Sequence, residues 1–408
     1  MQALNLDMYM TAGVGVVALL LGLFFTRSLP LLKKLCIPAP VSGGLAVSLA
    51  TLLCHALLGL DFDFDGTVKD ICMMLFFTSV GFQSNLRVLK QGGKPLLVMI
   101  GLVAILIVIQ NLLSVGIAKG LQLNPLLGMA TGSIPMSGGH GTAGGFSPVL
   151  EKMGLTGASS ITMAAATFGL VAGSLIGGPV GEMLIRRHRL AKEAGDSPFT
   201  SSYEKNASET LGGEEHMVTE DRSLMHYTEA SCILLLTMAL GMGLSKLLAL
   251  TGITFPTYFG ALIVGAVLRN CFEGSGSKEK LRLDEIVAIG NICLSLFLGM
   301  AMATLKLWEL SGLMLPLLVI LLSQAAFMVL YACFVAFPAL GKNYDAAVLV
   351  SGLCGFGLGA TPNAMANMSA VCFKYQYAVK PFIIVPIIGA MFVDIINTGV
   401  ITVFLNLL

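Results

Sequence analysis

Charge is scarce in this sequence. Only 12% of its 408 residues are Asp, Glu, Lys or Arg, while 56% are hydrophobic; an ordinary soluble domain carries about 25% charged residues. A chain so poor in polar surface is not built to face water on all sides. The 24 basic residues nearly balance the 23 acids and form no run of like charge that would suit nucleic acid. None of the nine cysteines is part of a C-x-x-C pair. Cys36, Cys54, Cys72, Cys232, Cys293, Cys333, Cys354 and Cys372 fall in or beside apolar stretches and read as small hydrophobes. Paired acids, an H-E-x-x-H motif and a Ser/Lys dyad are not evident among the apolar segments, which argues against an intramembrane enzyme. The N-terminus lacks a basic leader and a small-residue cleavage site, so the apolar stretch 8–26 is expected to be a retained span.

Apolar length is what the sequence has instead. Stretches such as 8–26, 96–118 and 313–337 approach or exceed the roughly 20 residues that cross a hydrocarbon core. The chain also resembles itself at an offset of roughly 216 to 220 residues. Ile37-Pro38-Ala39-Pro40 opens one span as Ile253-Thr254-Phe255-Pro256 opens another, and both spans begin after a proline. A span holding Gln110-Asn111 leads to Asn124-Pro125 and then Ser137-Gly138-Gly139-His140-Gly141-Thr142. Its counterpart holds Ser323-Gln324 and leads to Asn343-Tyr344 and Gly355-Phe356-Gly357-Leu358-Gly359-Ala360-Thr361-Pro362. Between the halves, 186–227 is polar and too poor in apolar residues to fold alone.

These observations predict an all-α integral membrane protein with about ten crossings. The expected organisation is a first repeat over 1–185, a cytoplasmic linker over 186–227 and a second repeat over 228–408. Each repeat carries five crossings and one re-entrant hairpin, at 125–146 and 346–369, where glycines and prolines make an ordinary span untenable. In this scheme Lys69, Lys119, Lys152, Lys246 and Lys306 fall on one side and all the other Lys and Arg residues on the opposite side. The richer side is cytoplasmic. Both termini then face outward, the second repeat is inverted relative to the first, and the hairpins enter from opposite sides so that their tips approach near midplane. Secondary transporters bind substrate at such a meeting point.

Gly138, Gly139, Gly141, Gly144 and Gly145 let backbone amides approach a ligand with no Cβ between. Close helix packing through small residues is the competing reading. Gly355, Gly357 and Gly359 are the second cluster; no βαβ unit surrounds them, which argues against a dinucleotide fingerprint. Ser137, Thr142, Thr361, Asn363 and Asn367 add hydroxyls and amides at the hairpins. His140 is the histidine placed within the membrane among polar groups, and it suits a carboxylate or a packing role better than a metal. Asp394, mid-span in the last helix, is costly unless it meets a cation or proton. Asn397 lies about one turn on. Aligned spans set Asp394 opposite Ser174, so the acid belongs to one repeat only. Among other residues in spans, Asn85 is assigned to the substrate, and Asn291, Ser295 and Gly355 join Asp394 and Asn397 as the cation's residues. No Lys or Arg falls at midplane, so an anionic substrate would be held by half-helix N-termini, amides and hydroxyls.

At Ser137-Gly138-Gly139-His140-Gly141-Thr142 and Gly355-Phe356-Gly357-Leu358-Gly359-Ala360-Thr361-Pro362 the chain resembles the bacterial sodium/glutamate symporters. The likeness extends from Ile37-Pro38 through Gly341-Lys342-Asn343-Tyr344-Asp345 to Gly389-Ala390-Met391-Phe392-Val393-Asp394. It departs mildly at Pro135 and at the order of small residues in Ala143-Gly144-Gly145. The resemblance implies sodium-driven uptake of L-glutamate across the bacterial inner membrane by alternating access, with Na+ as coupling ion and a homodimer as the assembly. Exchange or proton-coupled transport of another dicarboxylate, and a passive channel, are the alternatives.

Overall fold

The computed structural model describes residues 2–84, 93–190, 220–252, 254–274, 281–310 and 312–408. Through the first half run α1 (Met8–Ser28), α2 (Pro30–Lys34), α3 (Ala39–Leu58), α4 (Thr67–Gln83), α5 (Gly93–Gly120), the short α6 (Pro125–Ala130) and α7 (Ser133–Met136), α8 (Gly139–Lys152) and α9 (Ala158–His188). The second half holds α10 (Glu220–Ala249), α11 (Phe259–Gly274), α12 (Leu283–Ala303), α13 (Met314–Ala339), α14 (Tyr344–Leu358), α15 (Thr361–Lys374), α16 (Val379–Ile387) and α17 (Val393–Leu407). A π turn at Ala332–Ala336 lies within α13, and another at Ile388–Phe392 joins α16 to α17. Among the described residues, seven helices are long and apolar enough to cross a membrane. The protein is a mostly helical, multi-pass membrane protein.

One small sheet departs from the all-α expectation. Gln2–Leu6 (β1) pairs in parallel with Leu60–Phe64 (β2), Gln2 opposite Leu60 and Leu6 opposite Phe64. The Leu-Asp-Phe-Asp-Phe alternation of β2 has the period of a strand, but five residues beside a long apolar helix are easily read as loop.

Local chemistry sets the helix starts. Asp7 caps α1 by accepting from the Tyr9 and Met10 amides at 3.0 and 2.8 Å. Asn124 caps α6 through Leu126 N–H at 2.9 Å, and Asn343 caps α14 through Ala346 N–H at 2.8 Å, so the two Asn residues paired by the internal repeat do the same job.

The helices sort into two bundles. α1, α3 and α4 pack with α10, α11 and α12, while α5–α9 pack with α13–α17. Helix α9, 31 residues long, serves as a ruler for the second bundle. Along its first part, α8 runs antiparallel: Glu151 Oε1 accepts from Ser159 N–H at 3.2 Å, and His140 Nε2 lies 3.0 Å from Thr167 Oγ1. Along its later part α14 approaches and α15 returns. The Leu358 carbonyl sits over Gly169, Asn363 Nδ2 donates to the Leu170 carbonyl at 2.7 Å, Asn367 Nδ2 to the Gly173 carbonyl at 2.9 Å, and Lys374 meets Glu182 at 2.7 Å. The two broken segments, 125–152 and 344–374, thus approach α9 from opposite ends, and their breaks meet near residues 167–170.

Candidate functional site

Each broken segment turns on glycine. Gly139 opens α8 with φ +59, a left-handed backbone that costs an L-residue roughly 1–2 kcal/mol. In the other segment α14 ends at Leu358, and extended Ala360 leads into α15 with no side chain capping it. Gly138 likewise precedes α8 without a side-chain cap. Two helices therefore start at the same place with their first amides uncapped by side chains, and helix N-termini carry partial positive charge.

Polar side chains tie the tips together. Gln110 Nε2 donates to the Gly357 carbonyl at 2.7 Å, while Ser137 Oγ donates to Gln110 Oε1 at 2.7 Å and reaches the Gly357 carbonyl at 3.3 Å. Gln324 donates from Nε2 to the Gln110 carbonyl at 2.8 Å and also bonds Ser114 Oγ. A buried carbonyl left unpaired at a broken helix would cost about 1–3 kcal/mol, so the two glutamines hold the breaks in place.

A cavity of about 290 Å³ opens at this junction. The second bundle contributes both tips, Leu170, Phe356, Gly389, Val393 and Asp394; the first contributes Phe76, Phe77, Leu294 and Leu298, with Pro38 from the turn before α3. Among the described residues no Lys or Arg lines it. Asp394 lies in the first turn of α17, and among the described residues none donates a hydrogen bond to its carboxylate. Asn397, fully buried, donates to the Ser133 carbonyl at 3.0 Å and leaves Oδ1 without a partner. Ser133 Oγ, Thr142 Oγ1 and Asn363 Oδ1 are likewise buried and unpartnered. Unpaired buried oxygens in a membrane protein mark a place where a cation or a ligand donor fits.

Of the residues singled out in the sequence, Ser137, Gly138, Gly139, His140, Gly141, Thr142, Gly359, Thr361 and Asp394 line this cavity. Gly357 stands just behind it as the acceptor of the tip hydrogen bonds. Asn363 turns to Leu170 and Ser174, the latter at 3.0 Å, and Asn397 reaches beneath α7. Gly355 packs against Ala364, Gly144 against Phe297 and Gly145 against Tyr258, so the glycine clusters divide between site and close packing. Asn291 and Ser295 are not brought to the cavity. One turn apart, they share the face of α12 away from Gly290, Cys293 and Phe297: Asn291 is exposed, and Ser295 Oγ donates to its carbonyl at 2.9 Å. Asn85 lies outside the described residues. The wall residues Pro38, Phe76, Phe77, Leu294 and Leu298 went unsingled because an aromatic or aliphatic residue in an apolar chain carries no signal of its own.

A family model described as sodium/glutamate symporter matches residues 4–377. The chain belongs to the sodium/glutamate symporter family. Its curated relatives include the sodium/glutamate symporter of Escherichia coli (strain K12), 40% identical over 405 residues, 99% of this chain and 98% of that protein. The sodium/glutamate symporter of Haemophilus influenzae is 36% identical over 396 residues, covering 97% and 96% of the two chains. These full-length alignments, unlike the family match that ends at residue 377, extend beyond Asp394 into the last helix.

Proposed function

We propose that this protein imports L-glutamate together with sodium across the bacterial inner membrane by alternating access. The observation that carries the reading is the meeting of two uncapped helix starts and an unpartnered Asp394 in one cavity between the two bundles. The amides opening α8 and the Thr361 amide opening α15, with the hydroxyls of Thr142 and Thr361, offer donors to an anionic substrate without a fixed cation. Sodium is carried as substrate, and its hard-oxygen preference suits Asp394, the tip carbonyls and the unpartnered oxygens of Asn397 and Thr142. Sodium beside Asp394 offsets the charge that glutamate brings, so each favours binding of the other.

We further assign the two broken segments as re-entrant hairpins of two inverted repeats with about ten crossings, consistent with their approach along α9 from opposite ends. Both termini are assigned to the periplasm and the ends of α9 and α13 to the cytoplasm by the distribution of Lys and Arg; His55, late in α3, stacks on Trp308, just beyond α12, with ring centroids 4.1 Å apart, so these two ends lie on one side. The hairpin-bearing bundle moves against the other, and a homodimer is the expected assembly. Uptake of labelled glutamate into proteoliposomes tests this. Accumulation above the external concentration is expected with an inward sodium gradient and not without one. Sodium-independent uptake would sink the coupling, and flux that never exceeds equilibration would make the protein a channel.

A further inference from the structure

A second cavity, about 390 Å³, opens between the C-terminal turns of α9 and α13, away from the transport site. Its walls are apolar and open to the surroundings: Leu330 and Phe334 are 56% and 72% exposed, and Leu184 and Phe337 form the floor. Its mouth is basic, formed by Arg187, His188 and Lys342. The π turn of α13 passes through this wall, a widened turn of the kind that recurs at functional sites.

The neighbouring acids are already engaged. Glu182 holds Lys374 at 2.7 Å and Arg186 at 3.0 Å, and Asp345 faces Lys380 at 4.0 Å. Among the described residues no acid lies within ion-pair distance of Arg187 or Lys342. His188 commits Nδ1 to the Leu184 carbonyl at 3.1 Å, leaving Nε2 as the ring's other polar atom. Cations with no counter-charge among the described residues, set above an exposed apolar groove, match one chemistry in particular, an anionic headgroup attached to a hydrocarbon chain.

We propose that this groove binds one anionic diacyl phospholipid, its phosphate against Arg187, His188 and Lys342 and an acyl chain along Leu330 and Phe334. In the orientation given above the mouth faces the cytoplasmic leaflet, but the groove and its charges stand independently of the transported substrate. The lipid would brace the end of α9 against α13 within the hairpin-bearing bundle.

The test uses the full-length protein in detergent, with native mass spectrometry counting bound lipid and a thermal melt reading stability. Phosphatidylglycerol is expected to bind and to raise the Tm, whereas phosphatidylcholine and glycerol phosphate at equal concentration do neither. Arg187→Gln with Lys342→Asn, the latter suited to the positive φ of 52 at that position, should weaken phosphatidylglycerol binding at least about tenfold and leave the lipid-free Tm unchanged. Leu330→Trp, which fills the groove but keeps the charges, should weaken it as well. Should the double variant not fold, Lys342→Asn alone carries the same expectation at smaller size. The proposal is overturned if these variants bind phosphatidylglycerol like the parent, or if glycerol phosphate competes as well as the lipid. It is equally overturned if the variants change the oligomer mass and not the lipid count, since a second copy of the chain would then be the occupant.

Discussion

On the proposed reading, ion coupling turns on Asp394. A carboxylate lacking described donors is tolerated inside a membrane protein when a cation or proton joins it. Asp394→Asn keeps the shape and removes the charge; it should raise the sodium concentration for half-maximal glutamate uptake about tenfold or more, a difference of about 1.4 kcal/mol, or abolish uptake, with an unchanged gel-filtration profile. Parent-like sodium dependence in that variant would remove Asp394 from the mechanism. Gln110→Leu strips both the donor to Gly357 and the acceptor for Ser137. The unpaired carbonyl should cost about 1–3 kcal/mol, measured as a lowered Tm in detergent together with slower uptake. At this scale the sequence was legible wherever a residue was out of place for a bilayer: an acid in a span, a histidine among glycines. It was silent where wall residues such as Phe77 and Leu298 looked like every other apolar residue, and polarity alone did not tell Asn291, exposed on α12, from a residue lining the cavity.

At the scale of elements, helix breaks were readable because their chemistry is local: the glycine clusters announced them. Asn124 and Asn343 stood out in the sequence only as matched members of the repeat, and their capping of α6 and α14 came from the structure. What those glycines contact was not readable, since Gly139 needs its left-handed φ while Gly144 and Gly145 make room for Phe297 and Tyr258; only packing separates the two uses. The β1–β2 pair escaped notice for a related reason, its partners lying far apart in the chain. Helix α9 seats the second broken segment through small residues, and a Cβ at Gly169 would fall 2.0 Å from the Leu358 carbonyl. Gly169→Val should therefore push the tip off α9, costing about 1–3 kcal/mol as overpacking does. The check is a reduced Tm accompanied by loss of uptake, and a variant with parent-like values for both would show that α9 yields at this point.

For the whole molecule, the consequential division is between two bundles whose boundary passes through the cavity. A Cβ at Gly141, on the hairpin-bearing side, would lie 3.1 Å from the Phe76 ring on the other. If transport requires the bundles to move past one another, a short cleavable thiol cross-linker joining cysteines at Gly141 and Phe76, in a background with the native cysteines replaced, should arrest uptake, and its cleavage should restore it. Undiminished uptake with the bridge formed would mean that this boundary stays fixed during the cycle. Bundle membership could be anticipated only in outline, because the repeat reveals which helices are equivalent and says little about which of them touch.

The π turn between α16 and α17 sets the azimuth of Asp394. Each residue of an α-helix advances the chain by about 100° and 1.5 Å, so removing one residue from 388–392 would rewind that turn and swing everything beyond it around the helix axis, with Asp394 rotated off the cavity wall while its helix remained intact. Such a deletion should erase sodium dependence as thoroughly as loss of the carboxylate itself, measured in the same uptake assay. The partner proposed for the cation is thus held by a phase of winding as well as by a side chain.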